Sequence, residues 1–329
     1  MKQMKKYIII SVLTWFAAIY VSKAQDAMFS QMETLPILFN PATTGIFTNN
    51  DMNLGAQYRN QWSSLSSSIN TFALTFDMPL NDRWAVGGYI KNTDEIGLIN
   101  SFSFIGSGSY LITDPKSAKY LLSVGLQVGF IYKRINSGNL TYDEQYDENY
   151  FNTDLPTGEN YVRQNTIMPD ANIGFYYKNV NRQHRARPYG GFSAFHVTYP
   201  KEQFLDGSEG RLPLRYLFNF GTEYTLNDKI ELEANAYYQM QRDFRQLLIN
   251  VYIDYQFEGS QYRVFGGIGW RNKDAVILHL GFKHGYNVFR FSYDFNTSSL
   301  KEYTRNRGAF EFSVMFVAGQ KKSKNLSRL

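Results

Sequence analysis

The sequence contains no cysteine in its 329 residues, which excludes disulfide bonds, thiolate zinc sites and cysteine nucleophiles. Histidine is also rare. His184, His196, His279 and His284 are the whole set, and no two have the i,i+2 strand spacing or the i,i+4 helical spacing that commonly supplies two metal ligands. A Gly-x-Ser-x-Gly nucleophile motif is absent as well. We therefore expect no metal, no other cofactor and no enzymatic activity.

A strong charge excess is also lacking once the first residues are set aside. The formal net charge is +5, but residues 1–24 hold four lysines and no acid, with three of the lysines ahead of an apolar run at 7–21. This pattern predicts a secretory signal peptide cleaved before Gln25, because the run is shorter than the roughly 20 residues of a membrane anchor. The remaining 305 residues carry 30 basic and 29 acidic groups, and four of those positive charges lie in the last nine residues. The slightly acidic body excludes a nucleic-acid groove.

No long helical apolar period follows Gln25, and apolar residues instead alternate with polar ones. In the clearest stretch, 246–257, six apolar residues share one face. A soluble β-sandwich would bury such faces in a core, whereas long alternating strands in an exported chain predict a transmembrane antiparallel β-barrel whose apolar face meets lipid. We predict fourteen strands, at about 52–59, 69–79, 84–92, 101–112, 120–135, 170–179, 188–197, 212–225, 230–240, 245–257, 261–271, 275–283, 287–295 and 309–317.

The connections between these strands support a barrel because the longer ones fall at alternate positions. With a periplasmic N-terminus, the predicted external loops are 60–68, 93–100, 136–169, 198–211 and 296–308, and shorter periplasmic turns lie between them. The chain then divides into a signal peptide (1–24), an N-terminal segment that is periplasmic or plugs the lumen (25–51), the outer-membrane barrel (52–317) and a basic periplasmic tail (318–329).

Three groups of side chains are candidate contact sites. Loop 136–169 mixes acids with aromatic residues, which suit a protein-contact surface because they bury much area at little entropic cost. Its candidates for partner binding are Tyr142, Tyr146, Tyr150, Phe151 and Tyr161. Alternation points charges of both signs into the lumen, and the candidates there are Arg215, Glu231, Glu233, Asp254, Arg290 and Asp294. The basic group Lys178, Arg182, Arg185 and Arg187, at one periplasmic turn, either contacts a periplasmic partner or is simply solvated or lipid-facing.

Three short motifs follow the signal peptide in a fixed order. They are a Gln-Asp-x-x-Phe-Ser-Gln start, an Asn-Pro-Ala-x-x-Gly segment and an Arg-x-Gln-Trp motif, formed by Gln25, Asp26, Phe29, Ser30, Gln31, Asn40, Pro41, Gly45, Arg59, Gln61 and Trp62. With further matches at 169–177, 189–193 and 291–294, this set resembles the PorP/SprF family of outer-membrane barrels, which is associated with type IX secretion and gliding motility in Bacteroidetes. The chain departs from the family at Ala27, where members tend to have Pro, and in its extension 318–329.

The resemblance implies a non-enzymatic, Sec-exported barrel in the outer membrane of a Gram-negative cell. Such proteins support export or cell-surface anchoring of a cognate protein that carries a type B C-terminal sorting domain, often a gliding adhesin. It also implies contacts with outer-membrane lipid, with a periplasmic peptidoglycan-binding lipoprotein and with components of the secretion motor ring. Two alternatives stay open: a substrate-specific channel resembling fatty-acid or nutrient transporters, and a lipid hydrolase with Ser and His on the barrel wall.

Overall fold

The computed structural model describes most of the chain after residue 27. The described residues are 28–46, 52–63, 68–114, 119–136, 145–147, 150–152, 155, 164–202, 204, 210–299 and 301–318. The predicted signal peptide and residues 319–329 of the predicted basic tail lie outside them. Within the described part of the chain, no helix is long and apolar enough to cross a membrane.

Among the described residues, fourteen antiparallel strands form one closed barrel in which the first strand pairs with the last. This confirms the predicted architecture, and each predicted run corresponds to one strand. The strands are β1 Met52–Gln61, β2 Ile69–Pro79, β3 Trp84–Glu95, β4 Ile99–Leu111, β5 Tyr120–Ile135, β6 Asn165–Asn179, β7 Ala186–Phe195, β8 Arg215–Thr225, β9 Ile230–Gln241, β10 Phe244–Gln256, β11 Tyr262–Arg271, β12 Ala275–His284, β13 Asn287–Asn296 and β14 Arg307–Ala318.

The two faces of the wall differ in polarity because side chains alternate along each strand. On β10, the outward Val251 and Ile253 are each 53% exposed, while the inward Leu248 and Asn250 are fully buried. Outward residues on the other strands are also predominantly apolar, and the outward Trp84 packs on Tyr110 with ring centroids 4.8 Å apart. An apolar exterior around a polar interior is the arrangement of a barrel embedded in lipid.

The connections give the barrel two unlike ends. One, the turn end, carries only short connections: 80–83, 112–119, 180–185, 226–229, 257–261 and 285–286. The other, the loop end, carries the long connections 136–164, 196–214 and 297–306, together with 62–68, 96–98, 242–243 and 272–274. The prediction of a long loop at 93–100 was wrong: β3 continues to Glu95 and β4 begins at Ile99, so only a tight turn remains.

Residues 28–46, here called the lumen segment, lie inside the barrel. Two 3-10 turns shape the segment, Pro36–Leu38 and Pro41–Thr43, each with proline at its start, where the fixed proline φ suits a helical turn. The Asn40 side chain caps the second turn by accepting a hydrogen bond from the backbone N–H of Ala42. Apolar side chains of the segment pack with inward residues of the wall in one core cluster: Phe29, Met32, Leu35, Leu38 and Phe39 with Ala73, Phe195, Leu217, Tyr237, Leu248, Ala275 and Ile277. The segment therefore supplies five of the twelve buried residues of this cluster.

Candidate functional site in the barrel lumen

Two arginines and two acids form a buried charge cluster in the loop-end half of the lumen. Arg59 on β1 reaches Asp294 on β13 at 2.8 Å and Glu311 on β14 at 3.0 Å, and Arg271 on β11 reaches Asp294 at 2.9 Å. All four side chains are at most 3% exposed. Buried ions are tolerated when their charges are paired and their polar atoms are hydrogen-bonded. Here two buried arginines face two buried acids, and Arg271 also pairs with the quarter-exposed Asp274 at 2.9 Å.

The lumen segment enters this charge cluster at Ser30 and Gln31. The Ser30 hydroxyl donates to Asp294 (2.8 Å) and accepts from Arg59 (2.7 Å) and from Arg271. The backbone N–H groups of Ser30 and Gln31 donate to the two oxygens of Glu311, at 2.8 and 2.9 Å. The cluster is thus completed by the segment, and its carboxylates hold the segment through charge-assisted hydrogen bonds.

A second ionic contact holds the segment at Glu33. Its carboxylate pairs with Arg290 on β13 and accepts a hydrogen bond of 2.6 Å from the Tyr252 hydroxyl on β10. The Arg290 guanidinium also lies over the rings of Tyr252 and Phe265, with centroid distances of 5.0 and 4.5 Å. Burial raises the pKa of the Glu33 carboxyl above its ordinary value, and the Arg290 guanidinium opposes that rise.

Farther along the segment, from Phe39 to Gly45, its contacts with the wall are hydrogen bonds to the segment's backbone rather than ion pairs. The hydroxyls of three wall serines each donate to a carbonyl of the segment at 2.7 Å: Ser193 to Phe39, Ser123 to Ala42 and Ser109 to Thr44. On β2, Asp77 accepts from the backbone N–H of Gly45 at 2.8 Å. Buried backbone groups need such partners, so the wall is chemically matched to this stretch of chain.

Wall glycines give the segment room at its closest approach. A Cβ atom on Gly125 of β5 would lie 2.2 Å from the Pro41 carbonyl carbon, and one on Gly174 of β6 would lie 2.2 Å from the Asn40 Oδ1. Both distances are shorter than real Cβ contacts, so only glycine lets the backbone of β5 and β6 approach the segment this closely.

The family model for the type IX secretion system membrane protein PorP/SprF matches residues 21–316. The chain belongs to the PorP/SprF family. No curated protein sequence matches it. Among solved structures it is similar to the Ralstonia pickettii toluene transporter TbuX (TM-score 0.50, 10% identity, 88% of this chain and 94% of that chain), and to the Pseudomonas putida toluene transporter TodX (0.51, 7%, 86% and 92%). The CymD monoaromatic hydrocarbon channel is comparable (0.50, 11%, 88% and 93%). At such low identities these likenesses establish the barrel fold.

In this PorP/SprF-family barrel, the family motifs converge on the lumen contacts. Phe29, Ser30 and Gln31 are buried in the loop-end half, and Arg59 belongs to the charge cluster. Asn40 contacts β6 by donating to the Phe175 carbonyl at 2.9 Å. The remaining motif residues lie at three places: Pro41 and Gly45 in the lumen segment, Gln61 and Trp62 at the loop end of β1, and Gln25 and Asp26 outside the described residues.

The six lumen candidates fall into two sets. Arg290 and Asp294 contact the lumen segment, whereas the other four contact the wall. Glu231 pairs with Arg187 at 3.1 Å, Glu233 accepts from the Tyr189 hydroxyl at 2.8 Å, Asp254 pairs with Lys283 at 2.7 Å, and Arg215 lies 4.1 Å from the centroid of the Phe195 ring. The first set therefore holds the segment, and the second links strands of the wall, mostly strands that lie two apart in the barrel.

The loop candidates are only partly within the described residues. Tyr146, Tyr150 and Phe151 lie on a two-stranded hairpin, Tyr146–Asp147 with Tyr150–Phe151, inside connection 136–164. Tyr142 and Tyr161 lie outside the described residues. The role of this loop in partner binding stays a prediction.

The prediction of a four-residue basic patch at the turn end was wrong for two of its members. Lys178 pairs with Glu223 at 2.7 Å, and Arg187 pairs with the same carboxylate at 3.2 Å, because both lie at inward positions of β6 and β7. Arg182 and Arg185 are exposed on the connecting turn. The patch on the surface is therefore half as large as the sequence suggested.

Sequence reasoning also missed three charges of the lumen. Arg59 appeared only as part of a motif, while Arg271 and Glu33 were not singled out at all. Arg59 and Arg271 both occupy inward positions in the alternation of their strands, so strict parity would have found them. Glu33 gives no such signal because the lumen segment has no strand period.

Among the described residues, no group of three or more His, Cys, Asp or Glu side chains could hold a metal ion. His279 is buried in the lumen, and His196 pairs with Asp170 at 3.0 Å. A cavity of about 30 Å³ lies beside that pair, lined in part by Lys91, Lys133 and Arg215. This is the space of about one water molecule.

Proposed function

We propose that this barrel supports the export or cell-surface anchoring of a cognate secreted protein with a type B C-terminal sorting domain. The observation that carries the proposal is a lumen occupied by the protein's own chain: residues 28–46 are bound by buried charges and by backbone hydrogen bonds. A barrel so filled offers its rims rather than a pore, and membership of a family of type IX secretion system membrane proteins supports a role with secreted proteins.

The two ends would serve different partners in an outer membrane. Long connections of membrane barrels face the outside, so the loop end would meet the exported protein, with Tyr146, Tyr150 and Phe151 among its contacts. The turn end would face the periplasm, where Arg182 and Arg185 are exposed for a peptidoglycan-binding lipoprotein or a motor-ring component. Bacteroidetes gliding is the physiological setting that we propose.

Capture from outer membranes tests this function. A tagged barrel, cross-linked in cells and purified, is expected to recover a surface protein with a type B sorting domain. Deletion of the barrel is expected either to release that protein into the medium, if anchoring fails, or to retain it inside the cell, if export fails. An unrelated tagged outer-membrane barrel is the control. Recovery of no such protein would contradict the proposal.

Conductance separates the proposal from the alternative of a substrate-specific channel. The purified barrel in planar bilayers is expected to stay closed, since the lumen segment fills it. A steady open pore, together with substrate uptake by liposomes, would favour the channel instead.

A further inference from the structure

One strand of the barrel has a free edge at the loop end. β6 pairs with β5 along its whole length, from Asn165 opposite Arg134 to Asn179 opposite Tyr120. With β7 it pairs only from Ile173 to Lys178. Within the described part of the chain, no other strand pairs with β6 on that side, so the stretch Asn165–Asn172 extends past its neighbour.

Two local features end the pairing with β7. The regular strand β7 ends at Phe195, and His196 and Tyr199 after it both adopt positive φ, 61° and 47°. Pro169 on β6 has no N–H to offer a continuing strand. The carbonyls of Ala171 and Pro169 still accept hydrogen bonds from the Val197 N–H (3.0 Å) and the Thr198 hydroxyl (2.9 Å). These bonds cover the part of the stretch Asn165–Asn172 that is nearest to β7.

These bonds also establish which backbone groups of β6 face the open side. In a strand, the N–H and C=O of residues two apart point the same way. Ala171 and Pro169 point away from β5, so Ile167 and Asn165 do too. The alternate set points to β5, as the Gln164 carbonyl shows by accepting from the Ile135 N–H at 2.8 Å. Ile167 and Asn165 therefore present their N–H and C=O groups at the free edge.

The edge lies at the boundary between membrane and water. Toward the turn end, the outward residues of β5 beside β6 are Val128 and Phe130. At the free edge, the β5 residues opposite Ile167 and Asn165 are Tyr132 and Arg134. Tyrosine and arginine are typical of the interfacial zone. The outward side chains of Ile167 and Pro169 are apolar nonetheless, and that of Ile167 is 68% exposed. Free backbone groups beside an exposed apolar side chain suit the addition of an alternating, extended strand.

We propose that the free edge of β6 at Ile167 and Asn165 binds an extended segment of the exported protein as an added β-strand in line with β7. This inference rests on the proposed function for the identity of the partner. Main-chain hydrogen bonds would provide the binding, and an apolar residue at alternate positions of the segment would continue the outward face beside Ile167. The sorting domain would thus be held at the rim without entering the lumen.

Ile167→Pro tests strand addition directly, with Ile167→Ala as the matched control. Proline removes the N–H on the free side and is expected to leave the barrel folded, because that N–H is not needed by β5 and because Pro169 already occupies an equivalent position in β6. Alanine removes the side chain and keeps the N–H. Capture of the exported protein is expected to weaken on the order of tenfold with Ile167→Pro and less with Ile167→Ala.

Each outcome is decisive. Equal capture by wild type and Ile167→Pro, or equal loss with Ile167→Ala, would overturn strand addition while leaving the proposed function intact. Failure of the wild-type barrel to capture any sorting-domain protein would instead count against the proposed function. Amide hydrogen exchange adds an independent readout: the Ile167 amide is expected to exchange quickly in the isolated barrel, and slow exchange there would show that the chain itself or a second copy covers the edge.

Discussion

Gly125→Ala should loosen the lumen segment without touching any charged group. The new Cβ would lie 2.2 Å from the Pro41 carbonyl carbon and 2.4 Å from the Ala42 nitrogen, whereas ordinary contact begins at about 3.4 Å. Either β5 or the segment must therefore move by at least about 1.2 Å. The atoms in the way are backbone, and the Ala42 carbonyl is tied to Ser123, so a side-chain rotation cannot relieve the overlap.

Overpacking of this kind costs about 1–3 kcal/mol. If the strain is relieved by release of the segment, the population with an open lumen rises about 5- to 140-fold, since 1.4 kcal/mol is a factor of ten. Single-channel recording in planar bilayers would detect this as more frequent openings. Heat-induced unfolding, followed by the gel mobility of the barrel, would show a lower melting temperature.

Gly106→Ala on the neighbouring strand β4 is the matched control, because its Cβ would meet nothing nearer than the Val128 carbonyl oxygen at 3.7 Å. It is expected to leave both openings and melting temperature unchanged. If Gly125→Ala also changes neither readout, or if the two variants behave alike, the lumen segment is not seated as described.

Three further predictions concern charge and lipid contact. Asp294→Asn removes the one carboxylate that both Arg59 and Arg271 contact, and leaves Arg59 paired with Glu311 and Arg271 with Asp274, so it should lower the free energy of unfolding by about 1.5–3 kcal/mol. Asp254→Asn should cost less because its partners Lys283 and Arg263 are over a quarter exposed, and similar losses in guanidinium titrations would argue against a special role for the cluster. Because the pKa of Glu33 is raised in the folded protein, its contribution to stability is complete below the ordinary value of 4.5 and is lost as the pH rises through the raised value. Glu33→Gln should therefore flatten the pH profile of the melting temperature above pH 4.5, and an unchanged profile would refute this assignment. Val251→Arg, on the outward face of β10, should destabilise the barrel in lipid by about 2–4 kcal/mol, against about 0–1 kcal/mol for Leu226→Arg in a turn; equal effects in unfolding from vesicles would mean that Val251 does not face lipid.

The barrel was predictable because the pattern that specifies each strand lies within that strand's own sequence. Alternation with period two along 246–257 already separates the lipid face from the lumen face of β10, and turn residues bound each run. Alternation does not show how short the connection of a hairpin is. Polar residues such as Asp94 and Asn100 are common in loops, but here they pair with each other in β3 and β4, and only residues 96–98 are left for the turn. Strand ends also misled at Lys178 and Arg187, which were grouped with the basic residues of the turn although they continue the inward parity of their strands.

The lumen segment was only partly predictable because its contacts are not local. Ser30 meets Asp294 across 264 positions of sequence and Glu311 across 281. The two 3-10 turns of the lumen segment have no sequence period that would show which of their side chains face the wall. The motif residues were visible as a resemblance, but their pairing was not: nothing in the sequence around Ser30 indicates that it is shared by two arginines from different strands.

A barrel of fourteen strands lies between those that side chains alone can fill and those that leave an aqueous channel. In this protein the difference is made up by the lumen segment, whose Phe29, Met32 and Leu35 pack against wall residues such as Leu248 and Ile277. The same contacts consequently close the lumen and stabilise the barrel. Any ligand that opened the lumen would have to replace both the apolar core and the bonds at Ser30 and Gln31. A partner that bound at the free edge of β6 would need to break neither, which favours the rim over the lumen as the proposed binding place for an exported protein.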